Sequence, residues 1–291
     1  MARTNRFEDA IIQRVIPKNS AKFKRLFAGI IFFWLAGFIR PKSISAQFIA
    51  GARMLGLGQT TVAVPENRWA VFNNPAMVLS SSLNVSFYGI RNYGFSELTD
   101  MAATITYPVL KGITQAGMHH YGNKLFNKTR IRLGYGSHWE QLYFGLVVNY
   151  TQLSIERYGN VGAFGVDAGV GAQLVDGFWI GAFATNLNRS KLGASKDDMT
   201  RLLAIGFSYA PDDRYMFTSD LVKDVRFPIS WRGGAEIKII GGLQGRAGVS
   251  TQPTTFSMGI GIKRDKWEVN VAVQRHQVLG LSPGLDFSLS I

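Results

Sequence analysis

Residues 164–174 alternate without a break. Phe164, Val166, Ala168, Val170, Ala172 and Leu174 fall on one face of an extended chain, and Gly165, Asp167, Gly169, Gly171 and Gln173 on the other. Period two is the spacing of a β-strand with unlike faces. Val175-Asp176-Gly177 then turns the chain, because Asp-Gly supplies the positive φ of a tight hairpin, and residues 178–187 run back. Segments of about ten residues with this pattern, separated by turn signals, continue from residue 83 to the C-terminus.

A soluble sheet also alternates, so the contents of the two faces and the number of repeats decide the class. Here the polar face is glycine and isolated charge, and the other face is aliphatic and aromatic in strand after strand. A barrel in a membrane turns its apolar face to lipid and its polar face to the lumen. The pattern predicts an all-β fold: a transmembrane antiparallel β-barrel of about 14 strands. The first falls at 83–93 and the last at 281–291, with others at 129–138, 163–174, 178–188 and 200–210. An even count places both ends of the barrel on the periplasmic side. Short connections at Lys111, 175–177 and Gly241 fall on that side, and the longest loop, 189–199, falls outside; the short connection at 252–253 fits less well. Trp139, Trp179 and Trp267 at periplasmic strand ends and Trp231 at an extracellular one suit an interfacial girdle.

The N-terminus departs from this pattern. Residues 26–39 form an uncharged apolar run of 14 residues after a basic leader, shorter than the ~20 a helical span takes. Small residues follow at 43–46. This is the layout of a secretory signal peptide over residues 1–46, with cleavage after Ser45 or Ala46. Charge supports the same division. The net charge is +13, of which residues 1–46, with nine Lys/Arg against Glu8 and Asp9, carry +7, leaving +6 for the rest. The basic excess is therefore mostly leader, and with no basic helix or aromatic-basic platform it predicts no nucleic-acid partner. The chain has no cysteine, which rules out disulfides and thiolate metal sites.

Residues 47–82 read neither as strands nor as a long helix. They contain Gly51-Ala52-Arg53, Gly56 and Gly58, and then Asn74-Pro75-Ala76, with a short helical turn expected between Glu66 and Phe72. The glycine pair lacks the third glycine, the lysine and the βαβ setting of a phosphate loop. The Gly-Ala-Arg…Gly-x-Gly opening, about twenty residues before Asn-Pro-Ala, resembles the FadL-like outer-membrane β-barrel family. Within it, the opening is similar in particular to the PorV/PorQ branch of Bacteroidota-type bacteria. The resemblance covers residues 51–76 and implies that 47–82 form a plug or hatch inside a barrel of residues 83–291. Departures are Glu66-Asn67, where relatives usually carry an acidic pair, and Met77 after Asn-Pro-Ala. The implied plug motif is Gly51, Arg53, Gly56, Gly58, Asn74, Pro75 and Ala76, with Asn74-Pro75-Ala76 expected to tether the plug.

Strand parity assigns Arg130, Arg132, Asp167, Arg232, Glu236, Lys238, Arg246, Lys263, Glu268 and Asp286 to the lumen. Such charges pair around a plug or, where unpaired and basic, favour anions. Glycines 165, 169, 171, 234, 248, 259 and 261 also point inward and leave room for the plug.

Catalytic and cofactor chemistry is weakly represented. His119 and His120 are adjacent on a strand and face opposite ways, so they predict no shared metal ion. Gly280-Leu281-Ser282-Pro283-Gly284 matches the spacing of a nucleophile elbow, but Pro283 lacks the N–H that would hold an oxyanion, and a loop turn is expected there. The chain is therefore read as no enzyme, with no cofactor.

The FadL-like resemblance implies an outer-membrane barrel that binds or passes hydrophobic small molecules. The PorV/PorQ likeness implies instead an accessory barrel of type IX protein secretion, and a general or structural porin is a third possibility. Expected partners are outer-membrane lipid, the barrel-assembly machinery that reads an apolar final strand, and a hydrophobic ligand or secretion-system proteins.

Overall fold

The computed structural model describes residues 51–193 and 197–291. The expected signal peptide, residues 1–46, and the first four residues of the expected plug lie outside the described residues. Fourteen antiparallel strands close into one barrel. They are β1 (Asn84–Arg91), β2 (Thr99–Val109), β3 (Gly112–Gly122), β4 (Phe126–Trp139), β5 (Leu142–Ile155), β6 (Gly159–Val175), β7 (Phe178–Ala184), β10 (Leu202–Tyr209), β11 (Tyr215–Asp224), β12 (Ser230–Lys238), β13 (Leu243–Thr251), β14 (Thr254–Lys263), β15 (Trp267–His276) and β16 (Gly280–Ser290). Two further strands, β8 (Lys191–Leu192) and β9 (Asp197–Asp198), form a small ladder in the loop between β7 and β10. Each barrel strand pairs with its neighbour in sequence, and β1 closes on β16 with Phe87 opposite Phe287.

Alternation decides which face each residue takes. On β5, Leu142, Phe144, Leu146 and Val148 point outward and are exposed, whereas Val147, Asn149 and Thr151 are buried. Around the barrel the outside is aliphatic and aromatic, while Arg132, Asp167, Glu236 and Arg246 are buried within. Water would penalise such a surface, and lipid accommodates it. Among the described residues no helix is long and apolar enough to cross a membrane.

Several boundaries differ from those read in the sequence. β4 and β6 begin three and four residues earlier than expected, at Phe126 and Gly159, and β7 ends at Ala184 rather than 188. β5 and β6 pair through Ile155 and Gly159, so these 14- and 17-residue strands extend past the ~9–11 residues needed to cross lipid. The end of β5 at Ile155 matches the strand expected at 141–155, whereas the outer end of β6, Gly159-Asn160-Val161-Gly162, carried too little apolar alternation to reveal it. Above Ala168, β6 loses β7 as its partner. Its edge is held instead by Leu187 N–H donating to the Val166 carbonyl and by Asn188, which donates to the Phe164 carbonyl and accepts from Val166 N–H.

Three other expectations are corrected. Trp179 faces the lumen, 8% exposed, and packs on Ala63, Ala76 and Met77; an indole satisfies a packed interior as well as a membrane interface. Residues 280–284 open strand β16 instead of forming a loop. The helical turn between Glu66 and Phe72 is confined to a 3-10 turn at Ala70–Phe72. At the 175–177 turn, Gly177 has φ 74°, and a side chain there would strike the Ala210 carbonyl.

Candidate functional site

The lumen is occupied at mid-height by residues 51–79. Their one α-helix, α1 (Ala52–Gly56), is followed by irregular chain and two 3-10 turns, and Leu57, Val62, Ala63, Val64, Ala70 and Met77 have no exposed surface. Such a segment brings many backbone N–H groups into a water-poor space, and each needs an acceptor. The wall supplies them. Asp286 Oδ2 on β16 accepts Ala52 N–H at 2.6 Å and Arg53 N–H at 3.3 Å at the start of α1. Asp220 Oδ2 on β11 accepts Thr61 and Val62 N–H at 2.6 and 3.1 Å. Ser208 donates to the Ala63 carbonyl at 2.7 Å, and Gln115 to the Pro75 carbonyl at 3.1 Å.

Asn74 locks the far end. Its side-chain amide donates to the carbonyls of Val62, within the plug, and Val170, on β6, at 2.6 and 3.1 Å, while its oxygen accepts Ala76 N–H. Pro75 at the start of the 3-10 turn Pro75–Met77 needs no N–H there. Wall glycines fit the same segment closely. A side chain on Gly145 would meet Pro75, on Gly169 Asn74, on Gly171 Met77, on Gly181 the Val62 carbonyl, and on Gly234 or Gly248 Leu57 and Gly58.

Charges on β12–β16 form a second anchor. Arg53 meets Glu236 at 2.9 Å, and Arg246 Nε meets the same Glu236 oxygen at 2.6 Å. Arg246 also donates to Asn270, whose amide donates to Glu268 and Asp286. Burial alone would lower the Arg53 pKa, but the adjacent Glu236 carboxylate reverses this and holds the guanidinium above its ordinary value. Arg68 bonds Asn84 and Ser290 at the inner rim and lies 3.5 Å from Glu268. Arg132 pairs with Asp167 and lies over the Phe72 ring, 5.7 Å from its centroid. Arg232 donates to the Gln59 carbonyl at 3.1 Å.

The remaining lumen charges sit at the mouths. Lys238 and Lys263 have inward parity but stand at the inner rim, where Lys263 is half-exposed and 3.5 Å from an exposed Glu66. Of the plug-motif residues, Gly51 (φ 101°) packs against Trp69, Gly56 against Gly259 and Arg246, and Gly58 (φ 68°) against the β12 and β13 backbones.

The plug separates two chambers. The inner one, about 640 Å³, is lined by Arg53, Glu66, Arg68, Leu79, Lys238 and Lys263 among others. The outer one, about 270 Å³, is floored by Gln59 and lined by Tyr93, Tyr121, Phe126, Lys128, Arg130 and Phe227. Between them the wall is two-sided. Val62 packs with Phe183, Ala204, Val222 and Leu202 on β7, β10 and β11, and Ala63 with Trp179 on β7, Tyr143 on β5 and Met77 and Leu79 of the plug. Val222 lines the outer chamber and Leu79 the inner.

Asp220, Asn270, Gln115 and Ser208 hold the plug or its anchors but were not singled out in the sequence. Asp220 alternates with outward Leu221 and was accessible to the parity rule used for Asp286. His119 faces inward and bonds Asp100 at 2.6 Å, whereas His120 bonds Thr129. Among the described residues no cluster of potential ligands is arranged for a metal ion. Ser282 is buried in β16 and accepts Tyr93 N–H at 2.9 Å. Burial also raises the Tyr93 phenol pKa.

No protein-family model matches the chain, and no curated protein matches its sequence. Solved structures do share its architecture. The toluene transporter TodX of Pseudomonas putida aligns with a TM-score of 0.64 at 14% identity, covering 85% of this chain and 98% of that one. The monoaromatic hydrocarbon channel CymD aligns at 0.65 and 12%, over 83% and 97%. A Pseudomonas aeruginosa FadL homologue aligns at 0.57 and 12%, over 84% and 99%. At this level of identity the likeness is one of fold, that of a FadL-like barrel.

Proposed function

We propose that the protein is an outer-membrane barrel that binds or passes small hydrophobic molecules, with residues 51–79 controlling access between its chambers. The observation that carries this reading is the apolar side of the plug layer. Val222, Phe183, Ala204 and Val62, followed by Ala63, Trp179, Met77 and Leu79, lead from the outer chamber to the inner along β7, β10 and β11. The adjoining side, β12–β16, carries the ion pairs to the plug, while β10 and β11 hold it through Ser208 and the Asp220 carboxylate. An apolar solute would meet packed side chains that can be displaced along the first side, and ion pairs along the second. The fold shared with hydrocarbon channels supports the same reading. A general porin has less support, because the buried plug fills the cross-section a water-filled pore requires.

The proposal includes a signal peptide removed near residue 46 and insertion by the barrel-assembly machinery. Apolar Leu285, Phe287 and Leu289 on the outer face of the final strand support the latter. An accessory role in type IX secretion, as in the PorV/PorQ branch, is a second reading. It is favoured by the outer extension of β5 and β6, which presents Tyr158, 87% exposed, as a contact surface.

The test is uptake of radiolabelled toluene by intact cells, whose lipopolysaccharide leaflet slows apolar solutes, with and without the protein. Mass spectrometry of the gently extracted barrel accompanies it. Protein-dependent uptake supports the main reading. Unchanged uptake, with secretion subunits co-purifying in stoichiometric amounts, would replace it with the second.

A further inference from the structure

The outer chamber carries charge that the plug does not use. Lys128 and Arg130 project from the same face of β4, two residues and about 6.6 Å apart along the strand, and both line the chamber. Among the described residues neither makes a hydrogen bond or ion pair. Two carboxylates share the chamber wall, and Asp100 is bonded through both oxygens while Asp224 Oδ2 is buried without a hydrogen-bond partner among the described residues. Asp100 bonds His119 through one oxygen and Asn92 through the other, each at 2.6 Å, and Asp224 holds Arg226. Lys128, Arg130 and Arg232 outnumber the Asp100 and Asp224 carboxylates on this lining, so the chamber keeps a positive balance; a bound anion relieves the repulsion between the neighbouring cations.

The rest of the lining sets the shape of that anion. Tyr121 and Phe126 meet edge to face, with centroids 6.4 Å apart, beside Lys128, and Tyr93 and Phe227 complete an aromatic wall. A volume of about 270 Å³ falls just below the ~300 Å³ at which drug-sized ligand pockets begin. The chamber therefore suits a one-ring molecule and does not house a long acyl chain.

We infer that the outer chamber binds a compact aromatic carboxylate, with the carboxylate between the Lys128 ammonium and the Arg130 guanidinium and the ring against Tyr121 and Phe126. A guanidinium fork matches a carboxylate's two oxygens, and the ring faces add contact that a simple anion lacks. This assignment deepens the reading of the barrel as a route for apolar molecules and rests on it, the chamber being the first compartment met from outside.

Equilibrium dialysis of the full-length protein in micelles, against the same micelles without protein, tests it with radiolabelled benzoate, toluene and acetate. Benzoate should bind at least about tenfold more tightly than either control, the scale of one charge-assisted hydrogen bond. Lys128→Gln/Arg130→Gln should lose about that factor for benzoate and leave toluene unchanged, with heat-modifiable gel migration reporting an intact barrel. Lys124→Gln/Lys191→Gln, removing exposed cations elsewhere, should bind like wild type. Benzoate binding no tighter than acetate, or undiminished in the Lys128/Arg130 variant, overturns the inference. Toluene binding without benzoate binding overturns it while sparing the proposed function, and binding of neither overturns both.

Discussion

Asp286 reaches across 234 positions of sequence to accept the backbone N–H of Ala52 at 2.6 Å, at the first turn of the plug helix. The final strand and the first described element are thereby joined. Asp286→Ala leaves the buried Ala52 N–H and the partly buried Arg53 N–H without their acceptor and should loosen the plug by about 1–3 kcal/mol, while every strand pairing remains. Limited proteolysis of the folded barrel should then cut within residues 51–82. Resistance equal to wild type would contradict this role for the carboxylate.

The glycine seats lead to a second expectation. Any side chain at Gly169 meets Asn74, and at Gly171 it meets the end of Met77. Gly169→Leu should displace Asn74-Pro75-Ala76 and leave a barrel with an unseated plug. In planar bilayers the variant should show ionic conductance that the wild type lacks. A silent variant with native gel migration would mean that the plug can shift without opening a path.

Lipid contact is tested at Leu146, mid-strand on β5 and 52% exposed. Leu146→Arg should cost about 2–4 kcal/mol of folding into bilayers, and Leu142→Arg, at the inner end of the same strand, about 0–1. Urea titrations of folding into vesicles measure both. Equal costs at the two positions would argue against a lipid-facing surface here.

The Gly-x-Ser-x-Gly sequence should be catalytically silent. Ser282 is 2% exposed and bonded to Tyr93 N–H, and Pro283 has no N–H to stabilise an oxyanion. Wild type and Ser282→Ala should hydrolyse p-nitrophenyl acetate at the same background rate. A rate lost specifically in the variant would reopen an enzymatic reading.

The wall of this protein was legible in its sequence because lipid imposes a strict rule on it. Every second residue of a crossing strand must be apolar, so parity alone separates Leu146 from Val147's neighbours Asn149 and Thr151. The rule fades where the lipid ends. The outer portions of β4 and β6 and the rim positions of Lys238 and Lys263 fall there, and parity shows direction without height. Trp179 marks another limit, since an aromatic side chain suits a membrane interface and a packed plug alike.

By itself, the sequence determined an antiparallel barrel, which residues face lipid and that a glycine-rich segment precedes the strands. Those are local consequences of period-two chemistry and of turn residues. Only the tertiary structure decided that Asp220 and Asp286 cap plug amides, that Arg246 and Arg53 share Glu236, and that Lys128 and Arg130 face a chamber unpaired. Such partnerships join residues far apart in the chain, and whether a lumen charge is satisfied depends on which strands the closed barrel brings opposite one another.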